Sequence, residues 1–266
     1  MKLYKSFFLL LLFVFTTTLA NAQFATWEIG VTGGGAGYIG DLNQNNPVQI
    51  SGLSGGVFVK RNFNSQVSFR LHYTYGQIQA QDSKSSSLQF QERNLKFKTS
   101  LNDVSTLIDF NFFDYAAGGR QGKRFTPYLF AGVGVCLFKP TAAYNGENYR
   151  LDKLKTEGQA GAYKNYTLTI PYGGGIKYNY SGAFSIFSEI GYRSTFTDYL
   201  DDVSGVYPAF KKYVGDYPKI VNLSDPSLHG TGEAGSQRGD FRKRDTYLFV
   251  SIGISFTFVN EKCYSF

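Results

Sequence analysis

Residues 67–75 read VSFRLHYTY, a run in which large apolar side chains occupy every second position. Successive side chains of a β-strand point to opposite faces of a sheet, so this run predicts a strand with one apolar and one polar face. The same alternation recurs at residues 103–112, 167–178, 184–193 and 248–258. We therefore predict an all-β fold.

Three weaker, glycine-rich runs at 26–40, 52–61 and 126–139 bring the number of predicted strands to eight. Each is long enough for the about 9 to 11 residues that a tilted membrane strand requires. The composition agrees with strands, since 30 of the 266 residues are Gly and 17% are aromatic. A multi-helix membrane protein is excluded, because beyond the N-terminus no run reaches the about 18 apolar residues of a spanning helix.

The N-terminus has the pattern of a signal peptide. Lys2 and Lys5 precede the apolar run 7–15, and the small residues of Ala20-Asn21-Ala22 match a signal-peptidase site. We predict a signal peptide at 1–22, a barrel at 23–258 and a short periplasmic tail at 259–266. The formal net charge of +7 is modest, and export removes nucleic acid as a partner.

The lengths of the segments between the strands distinguish a membrane barrel from a soluble one. Membrane barrels have short periplasmic turns and long extracellular loops. Short and long segments alternate here, with short ones at 62–66, 114–124 and 181–183 and long ones at 41–49, 80–94, 140–164 and 201–245. We predict an eight-stranded antiparallel transmembrane β-barrel in the outer membrane of a Gram-negative bacterium, with both termini in the periplasm.

A barrel in a membrane turns its apolar face to the lipid and its polar face to the lumen. The polar faces of the predicted strands carry five charged residues that we expect to form a network across the lumen: Arg70, Asp103, Asp109, Glu189 and Arg193. Partial burial makes an unpaired charge costly, so these groups should pair. An eight-stranded barrel has little interior space, and the network would leave no solute channel.

The last predicted strand carries a further pattern. Ser251, Gly253, Phe256 and Phe258 form the sequence polar-x-Gly-x-x-aromatic-x-aromatic. This resembles the terminal signal that is read by the outer-membrane barrel assembly machinery. The eight residues that follow it form the predicted tail.

Catalysis has little support in the residue pattern. His72 lies on a polar strand face and His229 in the longest loop. The Ser-His-acid site of a lipid hydrolase remains an alternative, but the spacing of residues along the chain does not by itself bring a serine and an acidic partner to either histidine. Cys136 and Cys263 are placed apart by the predicted topology, beyond the about 7 Å that a disulfide allows, and should be free thiols. We predict no catalytic residue and no cofactor.

Two charged clusters, one at the start and one at the far end of the longest loop, have alternative interpretations. Asp198, Asp201 and Asp202 offer oxygen ligands of the kind that calcium prefers, but their spacing is not that of an EF-hand, and we predict no metal site. Arg242, Lys243 and Arg244 are either a solvated run or a contact for lipopolysaccharide phosphates.

Several segments resemble the PorG-like barrel component of the type IX secretion system of Bacteroidetes. They are residues 37–42 (GYIGDL), 93–98 (RNLKFK), 170–175 (IPYGGG), 189–193 (EIGYR) and 197–204 (TDYLDDVS). The resemblance extends over nearly the whole mature chain. It implies a non-enzymatic outer-membrane component that associates with the periplasmic ring of the apparatus, formed by a lipoprotein and its partner. Proteins with C-terminal sorting domains are the cargo of that system, and a much larger barrel forms its pore.

The predicted orientation places the contact with the ring on the periplasmic side, at Arg120, Lys123, Arg124 and Lys262. Two other functions stay open. One is a surface-binding or adhesion barrel that uses its long loops. The other is a lipid-modifying enzyme.

Overall fold

The computed structural model describes residues 25–115, 122–209, 217–240 and 242–258. The predicted signal peptide and periplasmic tail lie outside the described residues. Among the described residues, no helix is both long and apolar enough to cross a membrane. The strands are β1 (Thr26–Ile39), β2 (Ile50–Asn62), β3 (Val67–Gln81), β4 (Lys96–Asn111), β5 (Phe125–Tyr144), β6 (Glu147–Arg150), β7 (Tyr166–Ser181), β8 (Phe184–Thr195) and β9 (Thr246–Phe258), and the helices are α1 (Leu88–Arg93) and α2 (Tyr217–Ser224).

The eight long strands form a closed antiparallel barrel. Each pairs with its neighbour along the chain, β6 pairs only with β5, and the barrel closes where β1 pairs with β9. β4 also pairs with β5, so each of the eight long strands has a hydrogen-bonded neighbour on both sides. The predicted fold class is confirmed.

The apolar face of the sheet points outward. Phe69 and Leu71 on β3 are 43% and 48% exposed, whereas Arg70 between them is fully buried. The same inversion holds on β4, where Ile108 is 60% exposed and Asp109 is 1% exposed. This arrangement suits acyl chains outside and a polar lumen inside, as in a membrane barrel and unlike a soluble one.

The segments between the strands follow the predicted alternation of lengths, with one correction. The loop predicted at 140–164 begins too early, because β5 continues to Tyr144 and forms a hairpin with β6. Pro140 is tolerated there because its position falls between the last pair with β7, at Leu137, and the first pair with β6, at Thr141. The missing N–H of Pro140 therefore interrupts neither of these two ladders.

The long loops fold over the extracellular end of the barrel. We call their described parts, within 40–49, 82–95, 151–165 and 196–245, the extracellular cap. Leu200 and Leu223 from the cap pack in one apolar cluster with Tyr38, Phe138 and Tyr247 from the strands. The sequence predicts a polar lumen, and the structure adds this apolar and aromatic cluster at its extracellular end.

A charge on the outward face should weaken the fold. Val133, in the middle of β5, is 65% exposed and faces the lipid. Val133→Arg should lower the free energy of unfolding by about 2–4 kcal/mol, the cost of Arg near the bilayer midplane. The measurement is urea unfolding from lipid vesicles, followed through the fluorescence of Trp27, the single tryptophan. Leu88→Arg, at an 80% exposed position in the cap, is the control and should change little. Equal losses in both variants would contradict the membrane orientation.

Candidate functional site: luminal ion pairs and buried carboxylates of the cap

Three ion pairs lie in the lumen of the barrel, and the one between Arg70 and Glu189 crosses it. Lys60 Nζ lies 2.6 Å from Asp109 Oδ2, and Arg70 Nη2 lies 3.1 Å from Asp109 Oδ1. Arg70 Nη1 donates a hydrogen bond of 2.8 Å to Glu189 Oε2, which also accepts one of 2.8 Å from the Tyr128 hydroxyl. All four charged side chains are almost completely buried. The pairs therefore connect β2, β3 and β4 to β8 across the interior.

A fourth buried ion pair joins β1 and β7. Lys177 Nζ lies 2.6 Å from Glu28 Oε1, and Asn62 Nδ2 donates a hydrogen bond of 3.1 Å to Glu28 Oε2. Glu28, Lys60 and Lys177 were not predicted. Alternation could have identified them, since each occupies an inward position of its strand, but β1 and β2 contain many glycines that weaken the pattern.

Two members of the predicted network lie elsewhere. Asp103 accepts hydrogen bonds from the Tyr247 hydroxyl, at 2.6 Å, and from Ser105 Oγ. The guanidinium of Arg193 packs over the ring of Phe249, 5.0 Å from its centroid. Asp103 precedes Asp109 by six positions on β4, a separation of roughly 20 Å along a strand. The prediction of one network of five residues is corrected: Asp103 and Arg193 share the inward face but lie closer to the cap.

Breaking a luminal pair should destabilise the barrel. Asp109→Asn leaves Lys60 and part of Arg70 without a counter-charge, and losing one partner of a buried pair costs about 3–5 kcal/mol. Urea unfolding from lipid vesicles measures the loss. Asp114→Asn is the matched control, because Asp114 is exposed in the turn after β4 and its side chain accepts a hydrogen bond of 2.8 Å from Ser65 Oγ. It should change the free energy of unfolding by less than about 1 kcal/mol.

The two histidines lie in different environments. His72 is buried in the lumen, with Nε2 3.3 Å from Thr74 Oγ1, and contacts the edge of the Phe58 ring. His229 is exposed in the cap, with Nδ1 2.9 Å from Glu92 Oε2. Among the described residues, neither imidazole is hydrogen-bonded to a serine hydroxyl. Within the described part of the chain, the partners of His72 and His229 are thus a threonine hydroxyl and a glutamate carboxylate.

Cys136 is a buried, free thiol on the inward face of β5. Cys263 lies outside the described residues, so its free thiol stays a prediction.

Three carboxylates from distant segments meet beneath the cap. Asp41 follows β1, Asp201 lies in the loop after β8, and Asp245 precedes β9. One oxygen of each lies within 4.8 Å of the other two, and all three residues are buried. Among the described residues, this is the group close enough to hold a cation. The sequence alternative for calcium grouped Asp201 with Asp198 and Asp202, whereas the structure pairs Asp202 with Arg238, Thr156 and Tyr163.

The carboxylates already accept hydrogen bonds from the protein. Asp201 accepts from the Tyr38 hydroxyl and from the Val203 N–H, at 2.9 Å for the latter. Asp245 Oδ2 accepts from the Leu200 N–H at 3.0 Å, and Asp41 Oδ1 accepts from the Asp240 N–H. Burial raises the pKa of Asp41 to about 7. Burial and the neighbouring carboxylates raise the pKa of both Asp201 and Asp245 well above the usual aspartate range.

Arg93 ties the carboxylate region to the rest of the cap. Its guanidinium lies 2.6 Å from Asp82 Oδ2 and donates to the Asp41 carbonyl at 3.2 Å and the Arg238 carbonyl at 2.7 Å. Three segments on which the secretion-family resemblance depends, 37–42, 93–98 and 197–204, therefore converge here. Their contact is not predictable from the sequence, because these segments are far apart along the chain and no pattern links them.

Protonation of the carboxylate group should stabilise the cap. The raised folded-state pKa values mean that the folded cap binds more protons than the unfolded chain between about pH 4 and pH 7. Its stability should therefore fall as pH rises through that range. Hydrogen exchange at the Leu200 amide, corrected for intrinsic exchange, should reveal less protection at pH 8 than at pH 5. Asp245→Asn removes one of the titrating groups and should reduce this difference, whereas protection that increases with pH would contradict it.

The described part of the periplasmic side carries exposed basic residues. Lys123 and Arg124 precede β5 and are exposed, and Lys123 Nζ lies 4.2 Å from the centroid of the Phe113 ring. The buried Tyr115 extends from the same turn into the end of the lumen and donates to Ser185 Oγ at 2.7 Å. Arg120 and Lys262 lie outside the described residues.

The predicted assembly signal is divided between the two faces of β9. Ser251 and Gly253 face the lumen, whereas Phe256 and Phe258 face outward and contact each other edge to face. A Cβ at Gly253 would overlap the ring of Phe187, so glycine leaves the space that this ring fills. In the basic run of the cap, Arg242 pairs with Asp240 at 3.0 Å and Arg244 lies over the Phe196 ring.

A family model described as a domain of unknown function, DUF6089, matches residues 5–217. The chain belongs to this family. The comparison with curated proteins found no match.

Several solved outer-membrane structures are similar to this chain. The N-terminal β-barrel domain of Pseudomonas aeruginosa OprF is 12% identical, with 87% of this chain and 97% of that chain covered and a TM-score of 0.36. Neisserial surface protein A is 11% identical, with 88% and 97% covered and a TM-score of 0.40. A major outer membrane protein from Thermus thermophilus is 11% identical, with 88% and 100% covered and a TM-score of 0.43. The barrel assignment of the DUF6089 chain rests on its own strand pairing.

Proposed function

We propose that this DUF6089 protein is a non-enzymatic outer-membrane component of the type IX protein secretion apparatus, where it anchors or assembles the periplasmic ring. The observation that carries the proposal is the filled lumen. Arg70, Asp109 and Glu189 cross it as buried ion pairs, and the cap packs into its extracellular end. A barrel filled in this way acts through its surfaces.

The secretion role itself comes from the family resemblance of the sequence. Its segments contribute to both filled regions: Glu189 belongs to the luminal pairs, and Asp41, Arg93 and Asp201 belong to the cap. The partners that we propose are the periplasmic ring lipoprotein, other secretion components and outer-membrane lipid.

The ring contact is assigned to the periplasmic end of the barrel. Lys123 and Arg124 are exposed there, and Tyr115 anchors the same turn in the lumen. A turn held by a buried side chain keeps its exposed charges in place, which lowers the entropic cost of binding. Basic side chains at this position suit an acidic surface on the ring.

Charge reversal at Lys123 and Arg124 tests whether this surface binds the ring. Lys123→Glu combined with Arg124→Glu should abolish co-purification of the ring lipoprotein from detergent extracts, because attraction becomes repulsion. Lys243→Glu combined with Arg244→Glu makes the same charge change in the exposed cap and should leave co-purification intact. Undiminished co-purification by the first variant would count against the periplasmic contact.

Deletion of the gene tests the function as a whole. Accumulation of sorting-domain proteins in the periplasm is the expected result. Normal secretion with loss of surface binding would instead favour an adhesion barrel, for which the folded cap is the specific observation. An altered lipid A profile after replacement of His72 or His229 would favour a lipid-modifying enzyme.

A further inference from the structure

A polar cleft opens on the outer wall of the barrel beside the cap. Pairing of β2 with β3 ends at Ser54 and Gly76, whereas pairing of β3 with β4 continues to Gln81 and Lys96. The β3–β4 hairpin therefore extends beyond the end of the β2–β3 ladder. Between this hairpin, residues 42–51 and the outer end of β5 lies a cavity of about 680 Å³. Cavities of this size hold small ligands or parts of larger ones.

The charged residues that line the cleft are all positive. Lys84, Lys96 and Lys98 line it, and none of its described lining residues is Asp or Glu. Among the described residues these three ammonium groups have no hydrogen-bond or ion-pair partner, and all three side chains are exposed. Unpaired cations beside a cavity favour an anionic ligand, and lysine is a common ligand for phosphate.

The remaining polar lining suits sugar hydroxyls. Gln79 and Gln81 are exposed on the outward face of β3, directly opposite Lys98 and Lys96 on β4. Thr141 on β5 lies opposite Lys98 on its other side. Amide groups offer both donors and acceptors, so they bind hydroxyls beside a phosphate.

The position of the cleft identifies the source of the ligand. Strand register aligns Tyr75, Asn102 and Leu137 in one row across the outer wall, in which Tyr75 is 45% and Leu137 48% exposed. Lys139 lies in the next row outward and Lys98 in the row after it. Two rows of a tilted strand rise roughly 10 Å, and a headgroup layer adds about 5–8 Å on each side of the hydrocarbon core, so Lys98 reaches the outer part of that layer. The lysines therefore stand at the level of the outer-leaflet headgroups, directly above the apolar belt.

We propose that this cleft binds the phosphorylated sugar headgroup of an outer-leaflet glycolipid. Lys96 and Lys98 contact the phosphate, and the amides of β3 contact the sugar hydroxyls, while the acyl chains lie along the apolar wall below. This inference is independent of a role in secretion. It differs from the basic run Arg242–Arg244, whose arginines contact Asp240 and Phe196.

Binding of phosphorylated lipid A to the full chain in detergent, titrated by native mass spectrometry, tests the proposal. Lys96→Gln combined with Lys98→Gln should weaken binding about 30-fold, since each basic side chain near a charged surface contributes a factor of about 5. Lys153→Gln combined with Lys155→Gln is the matched control, because these exposed lysines have the same spacing in the cap. The control should bind within about 2-fold of the wild type. Equal weakening by both pairs would overturn the proposal.

Two further arms distinguish the ligand chemistry. Lipid A without phosphate should bind at least about 10-fold more weakly, and equal binding would overturn the phosphate contact. Glucosamine 1-phosphate, which lacks acyl chains, should compete poorly. Competition at the same concentration as lipid A would identify a free phosphosugar and overturn the membrane source. Lys84→Gln alone, on the loop above β3, should weaken binding about 5-fold and leaves every strand position unchanged.

Discussion

The direction of the apolar side chains determines the rest of this structure. In a closed eight-stranded barrel every second residue must face a narrow interior, and the alternate residues must face the surroundings. Here the aliphatic and aromatic rows face outward, so Arg70, Asp109 and Glu189 become buried. Buried charges are stable only when they are paired and hydrogen-bonded. The ion pairs across the lumen are therefore the consequence of the membrane-facing surface.

The interior has two regions, which are stabilised by different interactions. Towards the periplasm it holds charges, and Lys60, Arg70 and Lys177 find their partners on strands that are distant in sequence. Towards the outside it holds an apolar cluster in which Leu200 and Leu223 from the cap join strand residues. Charge pairing fixes the strands relative to one another, and apolar burial holds the loops onto them. The cap is thus part of the folded core.

The carboxylate group lies on the cap side of the apolar cluster, beyond the ends of β1 and β9. Asp41, Asp201 and Asp245 are buried beneath the cap and accept hydrogen bonds from cap and strand donors. Like charges at this distance repel, and burial adds to the cost of ionisation, so protonation and cap stability are linked. The cleft of Lys96 and Lys98 lies on the outer wall, where its charges remain solvated and available. The molecule therefore keeps its ligand-accessible charges outside and its structural charges inside.

The sequence by itself determined the eight barrel strands and, where the alternation is regular, the face to which each side chain belongs, because alternation is a local property of the chain. It did not predict β6 or the extension of β5 to Tyr144. Residues 67–75 place Arg70 on the polar face of its strand, and the alternating loop lengths then indicate that this face lines the lumen. Only the tertiary structure decided how far along the barrel axis each side chain lies, since strand register depends on neighbouring strands. Asp103 and Arg193 share the inward face with Asp109 but lie at a different level of the barrel. Glu28 and Lys60 were missed because glycines interrupt the alternation around them. Lys177 lies in the alternating run 167–178 and was missed because alternation does not identify its partner, Glu28 on β1. The meeting of Asp41, Asp201 and Asp245 could not be predicted, because loops far apart in the chain must fold together before their side chains become neighbours.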